Sequence, residues 1–351
     1  MSSMDEQPIR VAVLGAGGLG RAAARIIGMK RQLRLEAICD SRGIVRSSEG
    51  ISGELIAGIS GGDLVEGYRH CQEGASDTVG GVVTLTAADA HHCADPIGEV
   101  LALAGSLDAV LITLPNLPNE FIPGVIGRFA ASGASLVFVD VLKRTRAVEE
   151  MFALEGAVRR ARSVVMTGCG ATPGLLAAAA VLAAQSFIEV EKVDIWWGVG
   201  IANWHAYKAT IREDIAHLPG FSVERAKAMS DAEVEALLER TNGLLELRHM
   251  EHADDLLLQR VGVVDDLEQV EVGGVMDTRH PKKPVSTTMT LTGITHEGKR
   301  SSHTFILGDE TTMASNVIGP ALGYLTRGLW LKERGLFGVF GCTEFLPMVV
   351  R

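Results

Sequence analysis

Several features that define other protein classes are scarce or absent in this sequence of 351 residues. Its five cysteines are odd in number and form no CxxC pair, which argues against a disulfide framework and against a structural zinc site. The N-terminal residues contain no apolar core of the signal-peptide type. The longest apolar run, Leu175–Ala184, is shorter than the roughly 20 residues that cross a bilayer. We therefore expect a cytoplasmic protein without a membrane partner.

Positive charge is also scarce. The chain has 33 Lys and Arg residues against 43 Asp and Glu residues, so its net charge of -10 does not suit nucleic acid or anionic membranes. Hydrolases and kinases lack support, because no GxSxG, HExxH or P-loop motif occurs. The segments 91–93 and 249–252 contain histidines without a recognised ligand spacing. These absences predict a small-molecule partner and no metal.

Aromatic residues make up only 5% of the chain, although hydrophobic residues make up 47%. Ala, Val, Leu and Gly must therefore fill the core, and such small residues suit helices packed on a parallel sheet. Apolar strands alternate with helices from Ile9 to Thr167, including one long helix over Thr145–Ala161. This alternation predicts an α/β fold with a doubly wound parallel sheet of the Rossmann type.

The pattern changes after residue 187, where long strands and a turn at 296–299 predict an antiparallel hairpin. We therefore expect a mixed α+β domain, inserted before a C-terminal helical return to the first domain. The Rossmann domain is placed at residues 1–165 and 311–351, and the substrate-binding and dimerisation domain at residues 166–310.

A glycine-rich loop between the first strand and the first helix predicts a dinucleotide site. Gly15, Gly17 and Gly20 form GxGxxG, in which the glycines permit a tight turn, close approach to a pyrophosphate and close helix–strand packing. The helix N-terminus offers free N–H groups to phosphate. Asp40 lies about 20 residues further on, where a carboxylate binds ribose hydroxyls. The predicted cofactor residues are Gly15, Gly17, Gly18, Leu19, Gly20, Asp40, Ser41, Arg42, Pro115 and Asn116.

Asp40 favours NAD over NADP, because a carboxylate repels a 2′-phosphate. Arg42 leaves NADP open, since it can pair with that phosphate or stack on adenine. The turn at Pro115 and Asn116 follows a strand, where cofactors bind in open α/β sheets, and an ordinary strand-ending turn is the alternative.

Two strand ends supply candidate catalytic residues. Lys143 follows the strand Ser135–Val141 and can donate a proton to a carbonyl or imine, with a surface ion pair with Glu149 or Glu150 as the alternative. In the segment 168–174, Thr172 is a natural helix N-cap and Pro173 a natural first helical residue. A helix N-terminus there can lower the pKa of Cys169, although this residue can also be a small buried side chain. Gly170, Thr172 and Pro173 are predicted to contact the substrate.

The run from Trp196 to Lys208 contains three of the four tryptophans. Trp204 and Tyr207 can line a substrate pocket, and His205 can act as an acid or base because it titrates near neutrality. A structural core cluster with a dimer contact is the alternative.

These motifs resemble the saccharopine dehydrogenase-like reductases. The likeness rests on GAGGLG with Asp40, on Gly168-Cys169-Gly170-Ala171-Thr172-Pro173-Gly174 as the GCGxxPG turn, and on the hairpin Thr290–Leu307 with the helix that follows. The resemblance implies a homodimer, joined through the inserted domain. It also implies chemistry at a C–N bond beside a carboxylate.

We therefore expect an NAD(P)-dependent dehydrogenase or reductase that transfers hydride to or from a C–N bond of an amino- or imino-acid-like molecule. Lys143 or His205 would handle the proton. A C–O oxidoreductase of the homoserine dehydrogenase type and a non-catalytic NAD(P)H-sensing protein are the alternatives.

Overall fold

The computed structural model describes residues 7–76, 88–115, 117–201, 204–308 and 312–351. The strands in these ranges are β1 (Ile9–Leu14), β2 (Leu33–Cys39), β3 (Gly43–Arg46), β4 (Asp89–His92), β5 (Ala109–Ile112), β6 (Val137–Asp140), β7 (Val164–Thr167), β8 (Phe187–Gly200), β9 (Leu244–Leu247), β10 (Val270–Asp277), β11 (Thr287–Thr295), β12 (Arg300–Leu307) and β13 (Gly338–Gly341).

The α-helices in the same ranges fall short, in length or in apolar character, of what a bilayer span needs. They are α1 (Gly18–Gly28), α2 (Gly53–Gly58), α3 (Leu64–Ser76), α4 (Pro96–Ala102), α5 (Phe121–Ala131), α6 (Thr145–Phe152), α7 (Glu155–Arg160), α8 (Leu175–Ala184), α9 (Lys208–Ile215), α10 (Val223–Ala228), α11 (Asp231–Arg240), α12 (Asp254–Arg260) and α13 (Met313–Glu333).

The chain forms two compact units, each with its own β-sheet. The first unit comprises Met1–Leu142, Arg146–Gly174 and Ala314–Arg351. The second unit comprises Lys143–Thr145 and Leu175–Met313. The short segment Lys143–Thr145 therefore belongs with the second unit, although the residues on both sides of it belong with the first.

The first unit is a Rossmann-type sheet, as predicted. Its strands lie in the order β13-β7-β6-β5-β1-β2-β3-β4, and all neighbours from β13 to β2 pair in parallel. These parallel strands are buried apolar segments, because helices cover both faces of such a sheet. Phe129 of α5 packs edge-on against Phe138 of β6, with ring centroids 5.2 Å apart.

One edge of this sheet is antiparallel. The sequence predicts a long excursion with one or two helices over residues 41–84; the described part contains β3, α2 and α3. β3 pairs antiparallel with β2, and β4 pairs antiparallel with β3. Only residues 40–42 lie between β2 and the antiparallel β3, so Asp40 lies directly at the chain reversal.

The C-terminal return predicted from the sequence completes the first unit. β13 pairs with β7, and α13 lies over the sheet. At Gly328 of α13 an added Cβ atom would lie 2.5 Å from the Val137 side chain, so the helix approaches β6 closely. The buried Tyr324 hydroxyl donates a hydrogen bond to the Cys342 carbonyl over 2.8 Å.

The second unit contains the predicted mixed sheet, in the order β12-β11-β8-β10-β9. β8 and β10 are parallel, whereas the other neighbours are antiparallel. Trp197 of β8 lies against the backbone of Gly274, where a Cβ atom would come within 2.3 Å of the indole. Trp196 and Gly273 form a similar pair, at 2.8 Å. Both tryptophans are therefore packing residues of the sheet.

Two helix boundaries differ from the predictions. The helix predicted over Thr145–Ala161 is wrong, because the chain forms α6 and α7 with a turn at Ala153 and Leu154. α8 begins at Leu175 and not at Pro173. The reason is local: Gly174 has a φ of 130°, which takes the chain out of helical conformation before Leu175.

The contact between α1 and β1 generates a stability prediction. A Cβ atom at Gly20 would lie 1.7 Å from the Gly15 carbonyl oxygen, a backbone atom that cannot rotate away. We expect Gly20→Ala to lower the free energy of unfolding by about 3 kcal/mol or more, as overpacking against backbone does. Chemical denaturation of the wild type and the variant measures this difference.

Gly17→Ala is the matched control for this measurement. A Cβ atom at Gly17 has no neighbour within 4 Å. We expect a change of about 1 kcal/mol or less, the scale of an N-cap substitution. Equal losses in the two variants would contradict the close α1–β1 contact.

Candidate functional site

The glycine-rich loop is held from both sides by neighbouring strand ends. The Gly15 N–H donates to the Cys39 carbonyl over 3.0 Å, and the Thr113 hydroxyl donates to the Gly15 carbonyl over 2.9 Å. Gly15 has a φ of 105°, which a residue with a side chain rarely adopts. The loop therefore has a defined shape without any help from a ligand.

The N-terminus of α1 is open to an anion. No side chain among the described residues caps it, its first turn contains no acidic residue, and Gly17 and Gly18 are exposed. Leu19 is half-buried beside them. The loop lies between β5 and β2 at the carboxyl end of β1, where the winding of the sheet reverses and α/β folds bind their ligands. Uncapped N–H groups and the helix dipole at this point suit a phosphate.

Arg21 is a residue that the sequence reasoning missed. Its Nε donates to the Ala16 carbonyl over 2.9 Å, and its other guanidinium nitrogens donate to the Ile59 and Gly61 carbonyls. The guanidinium thus ties the segment after α2 to the glycine-rich loop. A cation in the first turn of the helix that follows GxGxxG was the signal available in the sequence.

Asp40 lies at the end of β2, as predicted, but its carboxylate already has backbone partners. Oδ1 accepts from the N–H groups of Arg42 and Gly43, over 2.7 and 2.9 Å. Oδ2 accepts from the Leu64 N–H at the start of α3, over 2.9 Å. Asp40 therefore shapes the β2–β3 turn in addition to any contact with a ribose.

Arg42 and Ser41 are exposed in this turn. The Arg42 guanidinium pairs with Asp63 over 3.3 Å. Hydrogen bonding from the Glu66 N–H lowers the pKa of Asp63 to about 2, with smaller contributions from His92 and Arg42. Asp63 thus competes with any phosphate for Arg42. Pro115 is exposed after β5, whereas Asn116 lies outside the described residues.

Asp140 connects the end of β6 to the next strand end. Its Oδ1 accepts from the Gly168 N–H over 2.9 Å, the Leu142 N–H over 3.0 Å and the Thr167 hydroxyl over 3.1 Å. Its Oδ2 is buried and has no hydrogen-bond partner in the described parts of the chain. Burial raises the pKa of Asp140 to about 6, although these donors oppose the shift. This carboxyl group anchors the turn that begins at Gly168.

The turn 168–174 is compact and differs in detail from the prediction. Gly170 forms a β-bridge with Gly174, where a Cβ atom would lie 1.8 Å from the Gly170 carbonyl oxygen. Thr172 and Pro173, joined by a cis peptide bond, lie inside this turn. Thr172 is therefore not the N-cap of α8, and Pro173 is not its first residue.

Cys169 is buried in the same turn. Its thiol lies 3.5 Å from the Thr167 carbonyl, and burial raises its pKa well above the ordinary value. The expected lowering of this pKa by a helix N-terminus is wrong, because the thiol is buried in the first unit and α8 begins only at Leu175. A thiol with a raised pKa is a poor nucleophile.

Lys143 lies beside a buried carboxylate. Its Nζ is 3.9 Å from Oδ1 of Asp214, whose side chain is 3% exposed, whereas the lysine side chain is 30% exposed. Burial raises the pKa of Asp214 to about 6, and the positive charge of Lys143 opposes this shift. The predicted alternative, a surface pair with Glu149 or Glu150, is not what the structure shows. Asp214 is 71 residues away in sequence, and the sequence reasoning missed it.

Two histidines interact electrostatically with this pair. Burial lowers the pKa of His217, and Lys143 adds to the effect. The His252 ring forms a hydrogen bond with Asp254 over 2.6 Å, and both residues are buried. Polar titratable groups inside a folded unit are uncommon and cluster at functional sites. Lys143, Asp214, His217 and His252 form such a cluster, which we call the lysine cluster.

Trp204 is a packing residue of the second unit. It is 4% exposed, its Nε1 donates to Glu235 over 2.7 Å, and His205 stacks on its ring. His205 is exposed, and the Tyr207 side chain lies outside the described residues. The roles of His205, Trp204 and Tyr207 at a substrate stay predictions.

Histidine-rich segments make local ion pairs. His92 contacts Asp63 at 3.1 Å, and His91 contacts Asp89 at 3.1 Å. Asp63, Glu66 and His92 place their ligand atoms within 4.8 Å of one another. Because Asp63 also pairs with Arg42, a cation would have to displace an existing positive charge.

The chain is similar to the (S)-8-amino-7-oxononanoate synthase BioU of Haloferax mediterranei, with 42% identity over 98% of this chain and 99% of that protein. No protein-family model matches the chain. Among solved structures, it is similar to an engineered D-amino acid dehydrogenase bound to NADP+, with a TM-score of 0.54, 16% identity, and coverage of 98% of this chain and 95% of that chain.

The Corynebacterium glutamicum diaminopimelate (DAP) dehydrogenase in complex with DAP gives the same TM-score of 0.54 and 16% identity, over 99% of this chain and 95% of that chain. At this level of identity, these two structures show the shared fold alone. They agree with the Rossmann-type sheet of the first unit.

The synthase relative overturns the predicted family and reaction. The chain is not a saccharopine dehydrogenase-like reductase, because its relative at 42% identity is a synthase. The predicted enzyme class, a dehydrogenase or reductase acting at a C–N bond, is wrong for the same reason. The two alternatives, a C–O oxidoreductase and a non-catalytic sensor, fail with it. GxGxxG and the turn 168–174 specify a fold and a phosphate-binding loop, and one fold hosts many reactions.

Asp140 generates a prediction on the pH dependence of stability. Its pKa of about 6 in the folded chain lies above the ordinary 3.8, so its favourable contribution is complete below about pH 4 and is lost as the pH rises through 6. Asp140→Asn cannot ionise. We expect the unfolding free energy of the variant, relative to the wild type, to rise by about 2 kcal/mol between pH 4 and pH 7. Chemical denaturation across this range measures it.

Asp108→Asn is a control with the opposite sign. Burial raises the pKa of Asp108, but hydrogen bonds from Arg10 outweigh burial, so the pKa lies below its ordinary value. The Asp108→Asn variant should therefore lose stability relative to the wild type as the pH rises to about 4, and the difference should stay constant above that value. The same pH trend in both variants would contradict the protonated, buried state of Asp140.

Proposed function

Since the chain belongs to the family of the (S)-8-amino-7-oxononanoate synthase BioU, we propose that it carries out the chemistry of that synthase, with (S)-8-amino-7-oxononanoate at its active site and a nicotinamide cofactor on its Rossmann-type unit. The observation that carries the proposal is 42% identity that extends over nearly the full length of both chains. The ligand is a small molecule, in agreement with the acidic charge of the chain. The predicted homodimer stays a prediction.

The cofactor part of the proposal is supported by the shape of the glycine-rich loop. Gly15 holds the turn, Gly17 and Gly18 expose the N-terminus of α1, and no side chain caps that terminus. These residues would hold the pyrophosphate, and Asp40 would meet the adenosine ribose. A bound nicotinamide accepts or donates hydride. The two similar dehydrogenase structures share this fold, and one of them was solved with NADP+.

NAD is the proposed cofactor, in preference to NADP. Asp40 places a carboxylate at the end of β2, and its negative charge opposes a 2′-phosphate. Arg42, the residue able to reverse this preference, is paired with Asp63. Both groups therefore favour the cofactor that lacks the additional phosphate.

The substrate part of the proposal is supported by the lysine cluster. (S)-8-amino-7-oxononanoate has a ketone beside an amine and a carboxylate at the far end of its chain. Lys143 can hold or move a proton at such a carbonyl oxygen, because it is a half-buried amine with a buried carboxylate 3.9 Å away. This role is the one predicted for Lys143 from the sequence.

Gly17→Ala separates cofactor binding from folding. The substitution leaves the fold intact, because its Cβ atom has no neighbour within 4 Å. We expect it to weaken NADH binding at least tenfold, since the methyl group prevents close approach of the pyrophosphate. Fluorescence titration with NADH and NADPH measures both affinities, and the wild type should bind NADH more tightly.

Gly127→Ala in α5 is the control, because its Cβ atom also has no neighbour within 4 Å and the position is remote in sequence from the loop. It should bind NADH like the wild type. If the wild type bound neither cofactor, the cofactor part of the proposal would fail. If NADPH bound more tightly and Arg42→Ala removed that preference, the assignment to NAD would be wrong.

Incubation with (S)-8-amino-7-oxononanoate and reduced cofactor tests the reaction itself. We expect a change in the absorbance of the nicotinamide and a matching change in the amount of the compound, followed by mass spectrometry. The R enantiomer is the control and should give neither change. Equal results with both enantiomers, or none with either, would contradict the proposal.

A further inference from the structure

Two charged side chains from different segments of the first unit meet beside the predicted ribose site. Arg42 lies in the β2–β3 turn, and its Nη1 is 3.3 Å from Oδ2 of Asp63. The Arg42 side chain is 64% exposed, whereas that of Asp63 is 15% exposed. The guanidinium is therefore open to solvent and to a ligand, while the carboxylate that pairs with it is largely shielded.

Asp40 places the backbone of both members of this pair. Its Oδ1 accepts from the Arg42 N–H over 2.7 Å, and its Oδ2 accepts from the Leu64 N–H over 2.9 Å. Leu64 directly follows Asp63, so one carboxylate fixes the chain on both sides of the ion pair. The residue proposed to meet the ribose thus also sets where Arg42 and Asp63 lie.

Asp63 is held in place by contacts other than the one with Arg42. Its Oδ1 accepts from the Glu66 N–H over 3.0 Å, so Asp63 caps the N-terminus of α3. His92 of β4 places Nε2 3.1 Å from both carboxylate oxygens. The hydrogen bond from the Glu66 N–H lowers the pKa of Asp63 to about 2, so this carboxylate is charged at neutral pH.

The charge balance at this turn disfavours an additional phosphate. Asp40 and Asp63 contribute two negative charges, and Arg42 contributes one positive charge that is already paired. A 2′-phosphate on the adenosine ribose would have to take Arg42 from Asp63 while lying near Asp40. Arg21 is occupied too, since its guanidinium donates to carbonyls of the glycine-rich loop and of the segment after α2.

We propose that Asp63 is a specificity-determining residue, which keeps Arg42 from a 2′-phosphate and so makes the Rossmann-type unit select NAD over NADP. The inference rests on the proposed nicotinamide site, and it adds a residue that the dinucleotide need not touch. Selection then depends on the partner of the arginine as well as on Asp40. Because a solvent-exposed ion pair is weak, Asp63 produces a moderate preference and not an exclusion of NADP.

Asp63→Asn removes the charge and keeps the helix cap, because Asn is as good an N-cap as Asp. Arg42 can then pair with the 2′-phosphate. We expect the variant to bind NADPH about fivefold more tightly than the wild type does, and NADH within about twofold of the wild type. Fluorescence titration with both dinucleotides, in the absence of substrate, measures the two affinities.

Asp89→Asn is the matched control, because Asp89 lies on β4 of the same sheet and pairs with Arg46 over 2.9 Å. It removes the same charge from the same edge of the sheet, and it should leave the ratio of the two affinities unchanged. Asp63→Asn combined with Arg42→Ala is the second control. The gain for NADPH should disappear in this double variant, because the gain requires the guanidinium.

Three results would overturn the inference while NADH binding still supported the proposed cofactor site: an unchanged ratio in Asp63→Asn, an equal shift in Asp89→Asn, or a gain that persists without Arg42. A wild type that prefers NADPH would also overturn it. If Asp63→Asn does not fold, Asp63→Ser replaces it, since Ser caps a helix without a charge. A wild type that binds neither dinucleotide would instead overturn the proposed cofactor site, and the inference with it.

Discussion

The close approach of α1 to the backbone of β1 is the contact on which the first unit depends. Because Gly20 has no side chain, the helix can pack directly against the Gly15 carbonyl, which also accepts a hydrogen bond from the Thr113 hydroxyl. This arrangement holds the turn that Gly15 makes at positive φ, and it leaves the N-terminus of α1 uncapped at the point where the sheet reverses its winding. An anion site therefore follows from packing, with no charged side chain required. Arg21 then attaches the segment after α2 to the same loop, and Asp40 attaches the start of α3 to the β2–β3 turn.

Buried carboxylates are the second recurring feature, and the two main examples differ in their partners. Asp140 has three hydrogen-bond donors on one oxygen and fixes the turn 168–174 within the first unit. Asp214 has a lysine ammonium at an ion-pair distance within the second unit. The first arrangement, with two backbone donors and one hydroxyl donor on the same oxygen, serves the fold. The second leaves a charged, partly exposed amine able to meet a ligand, and for this reason we assign the chemistry to Lys143 and not to Cys169.

Local patterns in the sequence were sufficient for the fold and for part of the site. The glycine spacing from Gly15 to Gly20 identified the Rossmann-type unit, because each glycine meets a local steric need, and the switch of periodicity after residue 187 identified the second sheet. The same local reasoning failed at 172–174, where a bridge between Gly170 and Gly174 takes the chain away from the helix.

Contacts between distant segments could not be read from the sequence. Asp214 and Lys143 are brought together by the Arg144–Glu213 pair, and no spacing rule relates these positions. The reaction was misassigned for a related reason: the cofactor loop and the turn 168–174 recur on many enzymes, so they identify a fold and not a substrate. The similarity to a synthase, which extends over nearly the full length of both chains, corrected the predicted reaction.

In the proposed reaction, one chain binds both a nicotinamide cofactor and (S)-8-amino-7-oxononanoate. Isothermal titration of this compound into the protein, with and without saturating NAD+, tests that claim most directly. We predict binding in both cases, with an affinity that changes severalfold when the cofactor is present, because ligands of one reaction are thermodynamically coupled. Binding of the cofactor with no binding of the compound under either condition would contradict the account.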